Sequence, residues 1–192
     1  VIWKCLSFSC NVSGRYEAMA TLRMPDKNML LADEQAIRLF LDQRGIFYQR
    51  WPTDTCLPSD APDTQVLAAH NQWLTPFMEK HGYQTSDVVR VTPDTPNLPA
   101  IREKFLREHT HSEDEIRYFV EGQGQFWFHK EGVEDEVFAL FCEQGDLVSV
   151  PADTKHWFDL GTHPNVCAIR VFTNQAGWVP QYTESGIEQR YR

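Results

Sequence analysis

The sequence predicts a mainly β chain with flanking helices, and three observations carry that expectation. From His109 onward, short β-type runs recur at 115–120, 125–129, 136–142, 147–150 and 166–173, separated by turn residues such as Gly122-Gln123-Gly124. Short strands at that spacing indicate an antiparallel barrel or sandwich. Before His109 the texture is helical, with apolar periodicity over 34–44 and 63–81. The length, 192 residues, fits one domain with room for a proper core.

The elements follow in order. Residues 1–18 differ from the rest and are read as an extension, poorly ordered or not native, ahead of a start at Met19. They lack the long apolar centre and small-residue cleavage site of a signal peptide. Residues 19–192 then form the single domain. Residues 20–31 read as a strand and turn. Asp33 reads as the cap of a helix over 34–44, with Ala36, Ile37, Phe40 and Leu41 on one side and Gly45 as the stop. A short strand spans 46–51, and a loop with three prolines spans 52–62. The second helix runs from about Asp63 to His81 and ends at Gly82, its stripe being Val66, Ala69, Trp73 and Phe77. Pro76 inside it predicts a kink or a break. A short apolar run at 88–91, a proline-rich loop at 92–99 and one helical turn at 101–106 lead to His109.

Composition narrows the function classes. Asp and Glu number 27 against 18 Lys and Arg, a formal charge of −9. No basic cluster offers a phosphate-binding footprint, so nucleic acid is not the expected partner. No apolar run approaches the ~20 residues of a membrane span. The five cysteines are scattered without a C-x-x-C spacing, as reduced cytoplasmic thiols would be. No heptad or interface stripe stands out, and a cytoplasmic monomer is expected.

The chemistry concentrates in Glu108-His109-Thr110-His111-Ser112-Glu113-Asp114-Glu115. Side chains two apart on a strand share a face, so His109 and His111 would point together. A turn after them would return Glu115 to that face. His156, after a Gly145-x5-Pro151 turn, is the fourth candidate. Three imidazoles and a carboxylate suit a first-row transition metal, whereas a closed structural zinc site more often uses cysteine. Four protein ligands on an octahedral ion leave two positions, which suit a bidentate oxygen ligand.

These residues resemble a known superfamily. His109-Thr110-His111-x3-Glu115-x6-Gly122 is similar to the first cupin motif, and Gly145-x5-Pro151-x4-His156 to the second. The resemblance implies a cupin-type double-stranded β-helix, the jelly-roll barrel. Glu103, Asp153 and Leu160 stand where that pattern usually has glycine, glycine and asparagine. The longer string from Arg102 to Gly122 resembles the acireductone dioxygenases of methionine salvage. So do Asp146–Pro151, His156-Trp157-Phe158-Asp159, and Ala168–Phe172 followed by Gly177-Trp178.

That resemblance implies His109, His111, Glu115 and His156 as ligands of one Fe2+ per chain, with Ni2+ as the alternative at the same site. It implies O2-dependent cleavage of 1,2-dihydroxy-3-keto-5-methylthiopentene. The iron form would give 4-methylthio-2-oxobutanoate and formate. The nickel form would give 3-methylthiopropanoate, formate and carbon monoxide. Arg117 and Arg170 are the expected cations for the ene-diolate, since a dianion in a low-dielectric barrel needs positive charge. Phe105, Phe158 and Trp178 are the candidate pocket walls. Glu108 and Asp114 are candidate partners for ligand imidazole N–H groups. His70, His81, His129 and His163 read as surface or structurally satisfied. The alternatives are a non-enzymatic metal-binding cupin acting as a sensor or through a partner, and a cupin dioxygenase or isomerase of different substrate.

Overall fold

A computed structural model describes residues 20–192 except 54, 56, 133–134 and 175–178. The expectations for residues 1–18 and for Trp178 fall outside the described residues. The elements are β1 (Thr21–Met24), β2 (Met29–Leu31), α1 (Glu34–Asp42), β3 (Phe47–Arg50), α2 (Asp63–His81), β4 (Thr85–Val91) and α3 (Leu98–Leu106). Then follow β5 (His109–Thr110), β6 (Glu115–Lys130), β7 (Glu136–Glu143), β8 (Asp146–Val150), β9 (Lys155–Asp159), β10 (Val166–Phe172) and β11 (Gln181–Tyr182).

Local chemistry sets the helix ends. The Asp33 carboxylate accepts the Ala36 N–H at 2.8 Å and caps α1. Gly82 closes α2 at φ 78°, a left-handed stop that glycine adopts without strain. Two expectations need correction. The helix α2 is continuous through Pro76, and its buried stripe is Val66, His70, Leu74 and Phe77. Ala69 and Trp73 lie at its margins. Val66 and Phe77 stand where the periodicity put them, and the two middle positions shift by one residue, to His70 and Leu74, because a histidine occupies a core position. Likewise α3 is longer than one turn and begins with Pro99 in its first turn, where a missing N–H costs nothing.

The strands form two antiparallel leaves that share β6. One leaf has the order β11-β5-β9-β6-β7-β1-β2, and the other β4-β10-β6-β8-β3. This is the jelly roll that the cupin resemblance implied. Gly122-Gln123-Gly124 was expected to separate two strands, and that expectation is corrected: β6 passes through it and changes leaf there. Gly122 has φ +76°, and a Cβ would lie 1.8 Å from the Asn165 carbonyl oxygen. A Cβ on Gly124 would lie 2.1 Å from the Phe158 ring. The strands β9 and β11 were not anticipated at all.

Alternation along the strands sorts the side chains. Phe119, Phe126, Phe128, Phe138, Val148, Phe158 and Ala168 pack between the leaves. Ile116, Tyr118, Leu147, Ile169 and Val171 face outward and are covered by Val66, Leu74 and Phe77 of α2. Each such buried apolar side chain contributes about 1.5–3 kcal/mol relative to exposure. The same alternation leaves Glu115, Arg117, His156 and Phe158 facing inward.

Among the described residues no helix is long and apolar enough to cross a membrane.

Candidate metal centre

His109 comes from β5, Glu115 from the first residue of β6 and His156 from β9; His111 lies in the turn between β5 and β6. His109 and His156 are directly opposed in the β5–β9 pair. Glu115 reaches them because residues 112–114 turn the chain back, as expected. The Asp114 carboxylate holds that turn, accepting the Tyr83 hydroxyl and the Ala152 N–H, each at 3.0 Å. All four ligand residues are buried, and one ligand atom from each lies within 4.8 Å of the others. The sequence-predicted ligands are thus brought together.

Two of the imidazoles are oriented by main chain. The Nδ1 of His109 faces the Arg107 carbonyl at 2.7 Å, and that of His156 faces the Thr154 carbonyl at 2.8 Å. A carbonyl only accepts, so Nδ1 carries the proton and a neutral ring presents the bare Nε2 inward. The Nε2 of His156 is 3.1 Å from the Glu115 Oε2, and the Nε2 of His111 is also 3.1 Å from it. For neutral His156 this sets a lone pair against a carboxylate oxygen. A cation among these atoms resolves that repulsion, so the donor set fits a divalent ion. Burial and the neighbouring His156 push the His109 pKa down to about 4, which keeps the ring neutral and able to ligate.

Burial alone would raise the Glu115 carboxyl. The Arg117 guanidinium and the two facing imidazoles hold it well below its ordinary value instead. Arg117 is buried, donates to the Glu115 Oε1 at 2.6 Å, and lies 4.5 Å from the Phe158 ring centre and 5.2 Å from that of Phe126. Its Nε is buried and has no hydrogen-bond partner among the described residues.

A cavity of about 180 Å³ opens on the ligands. Its lining includes Phe105, Arg117, Phe158 and Arg170, all anticipated, together with Lys104, Pro180 and Tyr182, which were not. Arg170 also makes a two-pronged ion pair with Asp87, at 2.8 and 2.6 Å. It is thus both salt-bridged and cavity-lining.

Glu108 does take an imidazole N–H, but from His129 at 2.5 Å, not from a ligand ring. It also accepts the hydroxyls of Thr183 and Ser185. His70 is buried and satisfied by the Val66 carbonyl at 2.7 Å, in line with its structural reading. Asp153, at the motif's glycine position, has φ 61°, a left-handed conformation that aspartate tolerates. Glu103 falls within α3, where no glycine conformation is required.

A family model described as the ARD/ARD' family matches residues 53–180. The acireductone dioxygenase of a Picosynechococcus species is 51% identical over 174 residues, 91% of this chain and 98% of the relative. That of Klebsiella pneumoniae is 45% identical over 159 residues, 83% of this chain and 87% of the relative. Among solved structures, acireductone dioxygenase from Bacillus anthracis with a cadmium ion in its active centre is similar at a TM-score of 0.79. It shares 33% identity and covers 86% of this chain and 99% of its own.

Proposed function

The chain belongs to the ARD/ARD' family of acireductone dioxygenases, and on that premise we propose that it cleaves 1,2-dihydroxy-3-keto-5-methylthiopentene with O2 as a step of methionine salvage. The observation that carries this reading is the convergence of three imidazoles and one carboxylate at the floor of a cavity lined by cations. His109, His111, Glu115 and His156 would hold Fe2+, or Ni2+ at the same site. When bound, the ion supplies a Lewis acid for the substrate's oxygens.

The protein's own groups do the rest. The substrate is an ene-diol that reacts as an electron-rich ene-diolate, whose negative charge is costly to bury unpaired. Arg117 and Arg170 supply compensating charge. The unpartnered Nε of Arg117 offers a donor to a substrate oxygen while its terminal nitrogen keeps Glu115 ionised. Phe105 and Phe158, whose rings meet edge to face at 6.4 Å, form an apolar wall that excludes water and accepts the methylthio tail. Asp114 and Glu108 support the site indirectly, by holding the chain on either side of the ligands.

With iron the products are 4-methylthio-2-oxobutanoate and formate. With nickel they are 3-methylthiopropanoate, formate and carbon monoxide. The test is oxygen uptake by protein loaded with iron, then with nickel, on synthetic acireductone, with the products identified. No uptake with either metal, in protein shown by metal analysis to be loaded, removes the proposal.

A further inference from the structure

The cavity grades from buried to exposed. The four ligands and Arg117 are buried, whereas Lys104 is exposed and Pro180 and Tyr182 are half-buried. A substrate anchored by its oxygens at the buried end therefore directs its tail toward this outer rim. We propose that Tyr182 determines specificity there, its ring acting as a fixed wall that limits the length of the substrate's tail. The inference rests on the acireductone reading above.

The ring is held from several directions. Strand β11 pairs with β5 so that Tyr182 opposes His109 and Gln181 opposes Thr110. The Tyr182 ring centre is 6.0 Å from that of His109, so the wall is built onto the ligand's own strand. The Arg107 guanidinium stacks over the ring at 4.0 Å and pairs with Glu184 at 2.6 Å. Across the rim, the Tyr182 hydroxyl donates to the Lys104 carbonyl of α3 at 3.5 Å. Just beyond, the Thr183 N–H donates to the Glu108 carbonyl at 3.2 Å, and the Ser185 hydroxyl donates to the Glu108 carboxylate at 2.6 Å. Tyr182 spans the gap between β11 and α3 and lines the cavity, where a rigid aromatic face would discriminate by size.

Size exclusion by one side chain against added methylenes is worth roughly ten- to two-hundredfold in kcat/KM. The experiment measures kcat/KM on acireductones sharing one head group, with alkyl tails from ethyl to hexyl, in the metal-loaded enzyme. The wild type is expected to favour the short tails. In Tyr182→Ala the ratio of long-tail to short-tail kcat/KM rises by about tenfold or more, and in Tyr182→Trp it falls. Tyr182→Phe keeps the wild-type ratio, since the ring and not the hydroxyl is the wall. If Tyr182→Ala and Tyr182→Trp, with metal content intact, both keep the wild-type ratio, the inference is overturned. If Tyr182→Ala does not fold, Tyr182→Trp decides alone. A wild type that turns over no acireductone at all instead removes the underlying reading.

Discussion

On the proposed function Arg117 would have two tasks that the geometry keeps apart. One terminal nitrogen binds Glu115 at 2.6 Å, and Nε is left for a ligand. Replacing it with glutamine removes the charge and the terminal nitrogens, leaving a shorter, neutral polar group. Arg117→Gln is expected to lower kcat/KM about a hundredfold, as loss of a preorganised donor does, with metal content by elemental analysis retained. Asp146 shows the opposite kind of burial. Its side chain is fully enclosed, accepting the Tyr48 hydroxyl at 2.8 Å and the Glu143 N–H at 2.7 Å. Burial nevertheless raises its pKa from 3.8 to about 6. A raised folded pKa means that the folded state binds the proton more tightly. Its contribution is therefore full below pH 3.8 and is lost as pH rises through about 6. The stability of Asp146→Asn relative to wild type should improve between those limits by on the order of 2–3 kcal/mol, read from urea midpoints across that pH range.

At the level of elements, β6 organises the site. Its first half carries Glu115 and Arg117 in one leaf, and its second half carries Phe126 and Phe128 in the other. The change of leaf depends on two glycines with different reasons. Gly122 supplies a positive φ against the Asn165 backbone, and Gly124 leaves room for the Phe158 ring. In Gly124→Ala the new methyl must displace Phe158, which walls the cavity and packs against Arg117. Overpacking of this kind costs about 1–3 kcal/mol. The expected outcome is a lower urea midpoint together with a raised KM for the proposed substrate. The glycines were visible in the sequence but misread as a turn, because the run of apolar residues does break there. What the sequence lacked was the pairing of the two halves of β6 with different leaves, the first with β8 and β10 and the second with β7 and β9.

Across the whole molecule, the ligands come from β5, β6 and β9 and the turn between the first two, so a bound ion ties segments more than forty positions apart in the chain. An ion that binds only the folded state stabilises it by mass action, by about 2.7 kcal/mol at a hundredfold excess over Kd. For a chain of this size that is about 5–11 °C in Tm. Chelation should lower the melting temperature by that order, and either Fe2+ or Ni2+ should restore it. A melting curve indifferent to chelation, in protein shown to lose its metal, would mean that the ion adds nothing to the fold. The chain is acidic as a whole, with net charge −9, yet Lys104, Arg117 and Arg170 line the cavity. Cationic side chains thus line the cavity in which an anionic substrate would sit.

The sequence by itself determined the ligand set, the mainly β class and the inward direction of Arg117. These follow from residue identity and from the two-residue period of a strand, both local properties of the chain. His109, His111 and Glu115 are close in sequence, and one short turn suffices to join them. Only the tertiary structure decided that β6 serves both leaves, that His129 rather than a ligand imidazole binds Glu108, and that Tyr182 lines the cavity. Each of those depends on which distant strands pair, and a two-residue strand such as β11 carries no periodicity from which its partner could be read.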